Sequence, residues 1–246
     1  MSVSVRKKTK PNKLDIIFDI DLTLVEAIQL NDSNRAKIDS IVKNMAKDKY
    51  FFIKLPIRLS TSKKTKMANK ALNGNEAKTK KSTNFGFIEL IVFIRPYAKL
   101  LLNWCFNNAR VSIWTAGTTN YAISILKNLL TPTQFNKIRL ILTRNAIAGT
   151  FINLKTRQKY RPLNNAGFLV KNMDLLFSHS DFKKFRFTKA TTYLIDDLDV
   201  NYDINKNSEN KNNFIHIKEW HFDDASDNEL LKIKERMASK SKGRGK

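Results

Sequence analysis

Two carboxylates one residue apart, Asp19 and Asp21, close the apolar run Ile16-Ile17-Phe18, and Thr23 follows before the chain turns apolar again at Leu24 and Val25. The apolar lead-in reads as a buried strand, and a carboxylate left unpaired near a core is costly. At the carboxyl end of a strand in an open α/β sheet that cost is usually offset by a metal or a ligand. With a divalent cation present, Asp19 could attack a phosphoryl group while Asp21 handles the leaving-group proton. The pattern D-x-D-x-T is not rare by itself, since average residue usage puts it in roughly a few per cent of chains this long. A solvated strand end with a Thr-stabilised turn has the same letters. A calcium loop also begins with alternating acids, but it needs Gly at its sixth position and Glu at its twelfth. Counted from Asp19 those positions hold Leu24 and Leu30, and the lead-in is a strand rather than a helix.

Other polar groups sit where apolar runs stop. Thr115 ends Val111–Trp114, and Asp196-Asp197 end Thr192–Ile195. Taken singly, Thr115 is as well explained by a helix cap, and Asp196-Asp197 by a solvated turn. If the three strands are parallel neighbours, their ends share one sheet edge and converge on one ligand. Rival chemistries lack their residues. A cysteine phosphatase loop separates Cys from Arg by five residues, whereas Cys105 and Arg110 are separated by four. Cys105 also lies on an apolar helical face, which suits packing. His179, His216 and His221 form no zinc spacing with a single cysteine. No G-x-x-x-x-G-K-[ST] loop is present.

The elements that must position these groups alternate. Strands are predicted at Leu14–Phe18, Tyr50–Leu59, Phe85–Ile94, Val111–Trp114, Ile138–Leu142, Thr192–Ile195 and Phe214–Ile217. Helices are predicted over Asn34–Lys47, from Arg95-Pro96 with an apolar face of Leu100, Leu101, Trp104 and Cys105, from a Thr118 or Thr119 cap to Leu130, and over Asp227–Met237. Such alternation indicates a parallel sheet with helices on both faces. Residues 1–13 read as a flexible basic arm, 60–84 as a mobile basic loop almost free of large apolar residues, 146–161 as a small hairpin insertion turning at Gly149, and 238–246 as a basic tail. The domain proper is 14–237.

Composition narrows the class. With 246 residues, 42% of them hydrophobic, the chain can bury a full core. No run reaches the roughly 18 apolar residues of a membrane span, so no membrane partner is expected. The amino-terminal segment is basic without an apolar stretch, unlike a secretory signal. One cysteine excludes an internal disulfide and fits a reducing compartment. A net charge of +23 attracts polyanions, and the basic arms are candidate points of nonspecific nucleic-acid contact. The joint excess of Lys and Asn also fits coding bias in an AT-rich genome, so the charge does not establish such a partner.

The segments FDIDLTLV, RPYAKLLLNW, VSIWTAGTTNYA, FLVKNM, YLIDD and IKEWHFDDASDNELLKI, in this order, resemble the carboxy-terminal-domain phosphatase branch of the haloacid dehalogenase superfamily, of the small single-domain type. The resemblance covers about Leu14 to Ile233. It implies an α/β haloacid dehalogenase-like Rossmannoid fold and a magnesium-dependent phosphoserine/phosphothreonine protein phosphatase. It implies Asp19 as nucleophile, Asp21 as general acid and then base, and Thr115 and Lys171 as holders of the phosphoryl oxygens. Magnesium would be bound by Asp19, Asp197 and the Asp21 backbone carbonyl, with Asp196 orienting Lys171 and Thr23 supporting from behind. Arg144 and Tyr121 match positions close to the substrate groove. The implied partner is a phosphorylated protein, typically the carboxy-terminal tail of the large RNA polymerase II subunit. The implied location is the nucleus or cytoplasm of a eukaryote, or of the host cell of a virus. Leu22 departs from the small or acidic residue usual beside the second aspartate. A nucleic-acid 3′-phosphatase of the same superfamily, favoured by the charge, and a non-catalytic binding protein that keeps the fold are the alternatives.

Overall fold

The computed structural model describes residues 13–58, 85–144, 171–178 and 180–242. The loop predicted at 60–84, the hairpin at 146–161 and most of the amino-terminal arm fall outside those residues. The chain divides into two compact units, one of residues 1–26 with 93–246 and one of residues 27–92.

The first unit is organised on a five-stranded sheet. Its strands are β1 (Leu14–Phe18), β5 (Ala109–Trp114), β6 (Ile141–Leu142), β7 (Thr192–Asp196) and β8 (Phe214–His216), in the order β6-β5-β1-β7-β8. Every pairing is parallel. β1 is buried along its whole length, as a central parallel strand must be, which explains why its sequence does not alternate. Phe18 stands opposite Ile113 on one side and Ile195 on the other, so Asp19, Thr115 and Asp196 leave the sheet at the same edge. The chain builds outward from β1 through β5 to β6, then returns to β7 on the other side. The direction of winding reverses at β1, and open α/β sheets bind ligands at such a reversal.

Apolar side chains from all five strands pack together in one cluster, with Ile17, Trp114, Leu142, Leu194 and Phe214 meeting Met173, Leu176, Phe182 and Phe187. Burial of each is worth about 1.5–3 kcal/mol. At the edge away from the predicted site, buried Asp15 accepts hydrogen bonds from Arg110 Nε at 2.8 Å and from Arg139.

Helix α2 (Ala98–Asn108) begins later than the Pro96 signal implies, because Tyr97 occupies its N-cap with a left-handed φ of 63°. Its buried face is Ala98, Leu101, Leu102, Cys105 and Phe106, and Leu100 is exposed. The expected face was rotated by about a quarter turn, since apolar residues on neighbouring positions fit two phases of a 3.6-residue repeat equally well. Helix α3 (Thr119–Leu129) is capped by Thr118, whose hydroxyl accepts from the Tyr121 N–H at 3.4 Å. A short helix α4 (Pro132–Asn136), closed by a Thr131/Gln134 capping box, was not anticipated. It shortens the strand expected at 138–142 to the two residues of β6. Helices α5 (Met173–Ser178), α6 (Asp199–Lys206) and α7 (Glu229–Lys242) complete the unit, and α7 carries the helical pattern past Met237 to Lys242.

Helix α1 (Arg35–Lys43), shorter at its carboxyl end than predicted, lies in the second unit. Three strands form a second sheet in the order β2-β4-β3, with β2 (Val25–Gln29), β3 (Tyr50–Arg58) and β4 (Phe85–Ile94). Hydrogen bonds from Arg95 to Leu24 and from Leu30 to Glu89 run in opposite chain directions, so β2 and β4 are antiparallel. β2 was not foreseen: VEAIQ is short and half-buried, and its alternation is weak.

Candidate active site

The backbone after β1 makes a tight reversal. Leu24 N–H donates to Ile20 O at 2.9 Å, and Leu22 N–H donates to Val25 O at 2.7 Å. Leu22 holds a φ of 55°, a conformation costing a residue with a side chain about 1–2 kcal/mol. The surroundings hold it there. Its carbonyl accepts from Trp220 N–H at 3.0 Å and from Arg95 Nη1 at 3.1 Å, and Arg95 also reaches Thr23 O at 3.3 Å. Arg95 is itself buried and paired with Asp227 through two bonds of 2.8 Å. The departure from a small residue at Leu22 is thus a local strain, held by an arginine that sequence reasoning passed over.

Asp19 emerges buried at this reversal, with its N–H bonded to Ile195 O at 3.0 Å. Lys171 Nζ lies 2.6 Å from Asp19 Oδ1 and 2.6 Å from Asp196 Oδ2. All three groups are buried, so one ammonium is shared between two carboxylates in a medium where charge is poorly screened. Burial works to lower the Lys171 pKa, and the two carboxylates overcome it, so the lysine is held charged above its ordinary range. Burial raises the Asp19 pKa well above the aspartate range, Lys171 counters it, and Asp196 and Asp21 add to it by repulsion.

Three of the roughly four acceptor sites of Asp196 are in use. Its Oδ2 takes Lys171, and its Oδ1 accepts from Leu198 N–H and Asn201 Nδ2, each at 3.0 Å. Asp197 accepts from the Thr23 hydroxyl at 2.7 Å, which ties the Thr of D-x-D-x-T to the second acidic pair. Its pKa is raised by burial, with Thr23 opposing. Asp19, Asp196 and Asp197 each bring one oxygen to within 4.8 Å of the others. Among the described residues no donor is aligned on buried Asp19 Oδ1, although the Lys171 ammonium is beside it. An all-oxygen set with such an oxygen fits a hard divalent cation.

Thr115 ends β5 fully buried, and its hydroxyl oxygen accepts from Gly117 N–H at 2.9 Å. A Cβ on Gly117 would stand 2.6 Å from Tyr121 Cδ1, so the glycine of WTAG makes room for the tyrosine ring. The Tyr121 hydroxyl donates to Asp21 Oδ1. Burial raises the Asp21 pKa, and the Tyr121 bond and the Lys171 charge partly counter it. Arg144 is tied to the same loop, its Nε donating to Ala116 O at 2.7 Å and its N–H to Gly117 O at 2.9 Å. Its charge also acts to lower the Asp21 pKa.

Every site residue expected from sequence is therefore at this one edge, with Tyr121 meeting Asp21 and Arg144 meeting the WTAG loop. Missed were Arg95 with Asp227, Gly117, and the buried Asn201 and Asn205 on α6. The asparagines leave a signal, an i,i+4 pair just after Asp196-Asp197, but it is hidden in a chain so rich in asparagine.

Residues 14–244 match the model of the NLI interacting factor-like phosphatase family. The chain belongs to that family, a carboxy-terminal-domain phosphatase-like branch of the haloacid dehalogenase superfamily. A protein described as CTD phosphatase-like, 355R of Invertebrate iridescent virus 3, is 26% identical over 149 residues, which are 59% of this chain and 72% of that one. Among solved structures, Fcp1, an essential RNA polymerase II CTD phosphatase, aligns at 15% identity with a TM-score of 0.48 over 95% of this chain. The fission yeast Fcp1 R271A variant bound to beryllium fluoride aligns at 16% identity, with a TM-score of 0.49 over 92% of this chain. The chain spans 50% of the length of each Fcp1 chain. Among the described residues no helix is long and apolar enough to cross a membrane.

Proposed function

We propose that this family member is a phosphoserine/phosphothreonine protein phosphatase that works through an aspartyl phosphate. The observation that carries the reading is the Lys171 ammonium, 2.6 Å from both Asp19 and Asp196 at the reversal point of the sheet. It opposes the burial that raises the Asp19 pKa and supplies positive charge where a transferring phosphoryl group accumulates negative charge, an effect commonly worth several kcal/mol.

An Asp19 carboxylate oxygen attacks phosphorus in line, and the bond from phosphorus to the serine or threonine oxygen breaks. Asp21, whose raised pKa suits an acid, gives its proton to that departing oxygen. Asp21, now a carboxylate, takes a proton from water as the water oxygen attacks phosphorus. The bond from phosphorus to Asp19 then breaks, returning the carboxylate and releasing inorganic phosphate. Thr115 spends a lone pair on Gly117 N–H and keeps its hydroxyl proton for a phosphoryl oxygen. Asp19, Asp197 and the Asp21 carbonyl would hold magnesium, while Asp196 is engaged by Lys171, Leu198 N–H and Asn201. Bound there, magnesium would neutralise charge on the phosphoryl oxygens. Arg144 is placed to contact the peptide beside the phosphate, and Tyr121 to hold Asp21.

The test is a magnesium-dependent assay of phosphoserine and phosphothreonine peptides beside 3′-phosphorylated oligonucleotides at matched, moderate salt. The peptides should be the faster substrates, and Lys171→Ala should lower kcat on them by at least about a hundredfold. The net charge of +23 favours oligonucleotide binding, which is salt-sensitive. Faster turnover of the oligonucleotide would replace this reading with the nucleic-acid one.

A further inference from the structure

We propose that Asn201 and Asn205, one turn apart on α6, are positioning residues that fix Lys171 through its backbone; the catalytic part of this rests on the role of Lys171 proposed above. Asp19, Thr115 and Asp196 leave or end strands whose hydrogen-bond ladders set their places. Lys171 belongs to no strand or helix, and the six-residue α5 begins two residues after it. Its long side chain could deliver the ammonium correctly only from a fixed backbone.

That fixing comes from α6. Asn201 Oδ1 accepts from Lys171 N–H at 2.8 Å, and Asn205 Nδ2 donates to Lys171 O at 2.8 Å. Asn205 Oδ1 also accepts from Met173 N–H at 3.0 Å, and its Nδ2 contacts Asn201 O at 2.7 Å. Asn201 Nδ2 donates to Asp196 Oδ1 at 3.0 Å, while Asp196 Oδ2 holds the ammonium of the same lysine. One helix turn thus grips Lys171 at its N–H, at its carbonyl and, through Asp196, at its Nζ.

Both asparagines are fully buried. In a helix interior Asn is a weak former, and an apolar residue would bury at less cost. A carboxamide at each position supplies a donor and an acceptor together, which Leu, Ala or Asp cannot do. Buried backbone groups must find partners, and the peptide units around Lys171 find theirs here. The asparagines touch neither substrate nor reacting atoms, so any effect on rate acts through the lysine.

The experiment compares Asn201→Ala, Asn205→Ala and the near-isosteric Asn205→Leu, each in the native and the Lys171→Ala backgrounds. With phenyl phosphate and magnesium, each should lower kcat about 10–100-fold with little change in KM, the loss typical of a misplaced catalytic group. In the Lys171→Ala background the same substitutions should change kcat less than about twofold, because groups acting as a unit are not additive. Equal losses in both backgrounds would mean a merely structural role and overturn the proposal. Amide hydrogen exchange decides the clamp without reference to activity. Asn201→Ala should speed exchange at Lys171, and Asn205→Leu at Met173, by about tenfold or more, while the Asp19 amide on Ile195 O keeps its rate. Unchanged protection at Lys171 and Met173, or an equal loss at Asp19, overturns the clamp itself. Full activity of Lys171→Ala would instead overturn the role of the lysine, and with it the catalytic half of the proposal.

Discussion

Replacing Tyr121 by Phe removes one hydroxyl and leaves the ring that packs against Gly117. In the native chain that hydroxyl donates to Asp21, favouring the ionised carboxylate against the burial that raises its pKa. A hydrogen bond to a charged acceptor is worth about 1.5–3 kcal/mol. Because 1.36 kcal/mol corresponds to one pH unit, the loss should carry Asp21 titration upward by about one to two units. Asp21 must be protonated to serve the leaving oxygen, so the alkaline limb of kcat/KM should move by that amount toward higher pH. The assay is kcat/KM from about pH 5 to about pH 9 on a phosphoserine peptide, whose poor leaving group makes the acid necessary. The same limb should disappear in Asp21→Asn whether residue 121 is tyrosine or phenylalanine. An alkaline limb that stays in place while the plateau falls would show that Tyr121 acts on something other than the Asp21 proton, and the argument would be refuted.

Asp19→Asn should lower aryl phosphatase activity by about a thousandfold or more, because the amide cannot form the acyl phosphate. The same change should raise the stability of the metal-free protein at neutral pH by about 0.5–2 kcal/mol in urea unfolding, since burial disfavours the carboxylate and Lys171 retains Asp196. Asp19, Asp21 and Asp197 all hold protons more tightly folded than unfolded, so their contribution favours the metal-free fold below the ordinary aspartate range and is lost as pH rises through the raised values. Magnesium should therefore raise the melting temperature at about pH 7 and hardly at all near pH 4, and an equal rise at both would contradict carboxylate ligation. Arg95→Ala leaves Asp227 buried without its partner and should cost about 3–5 kcal/mol, measured as a lowered urea midpoint. A loss under about 1 kcal/mol would show that Arg95 is not what holds the reversal.

The sheet was legible because its strands are buried on both faces and end in polar groups, so Leu14–Phe18, Val111–Trp114 and Thr192–Ile195 mark their own boundaries. The site was legible for the same reason: Asp19, Thr115 and Asp196-Asp197 follow the last apolar residue of parallel neighbours. Lys171 is different, because nothing in the local pattern separates it from the other lysines, and only the resemblance of FLVKNM singled it out. Arg95 and Asp227 stand 132 positions apart, a pairing that no window of sequence contains. The strand Val25–Gln29 was missed because half-burial on a small sheet leaves neither clean alternation nor a continuous apolar run. Leu22 drew attention as a departure, but its left-handed backbone is imposed by Arg95, Trp220 and the turn itself.

The two ends of β1 show how the chain separates stability from chemistry. At its start, buried Asp15 is met by two guanidinium groups, Arg110 and Arg139, which offset part of the burial that raises its pKa, and the pairing serves the fold. At its finish, Asp19, Asp21, Asp196 and Asp197 face, among the described residues, the one buried ammonium of Lys171, with Arg144 acting from the rim. Such a deficit repels a phosphate dianion. A divalent cation and a proton on Asp21 would nearly remove it, and the proposed chemistry requires both: one would neutralise the phosphoryl oxygens and the other would go to the leaving group. The excess of carboxylates that makes this edge costly to fold is thus the same feature that orders its use. In the proposed reaction the cation would bind first and phosphate would follow, with the proton held on Asp21 for the bond that breaks.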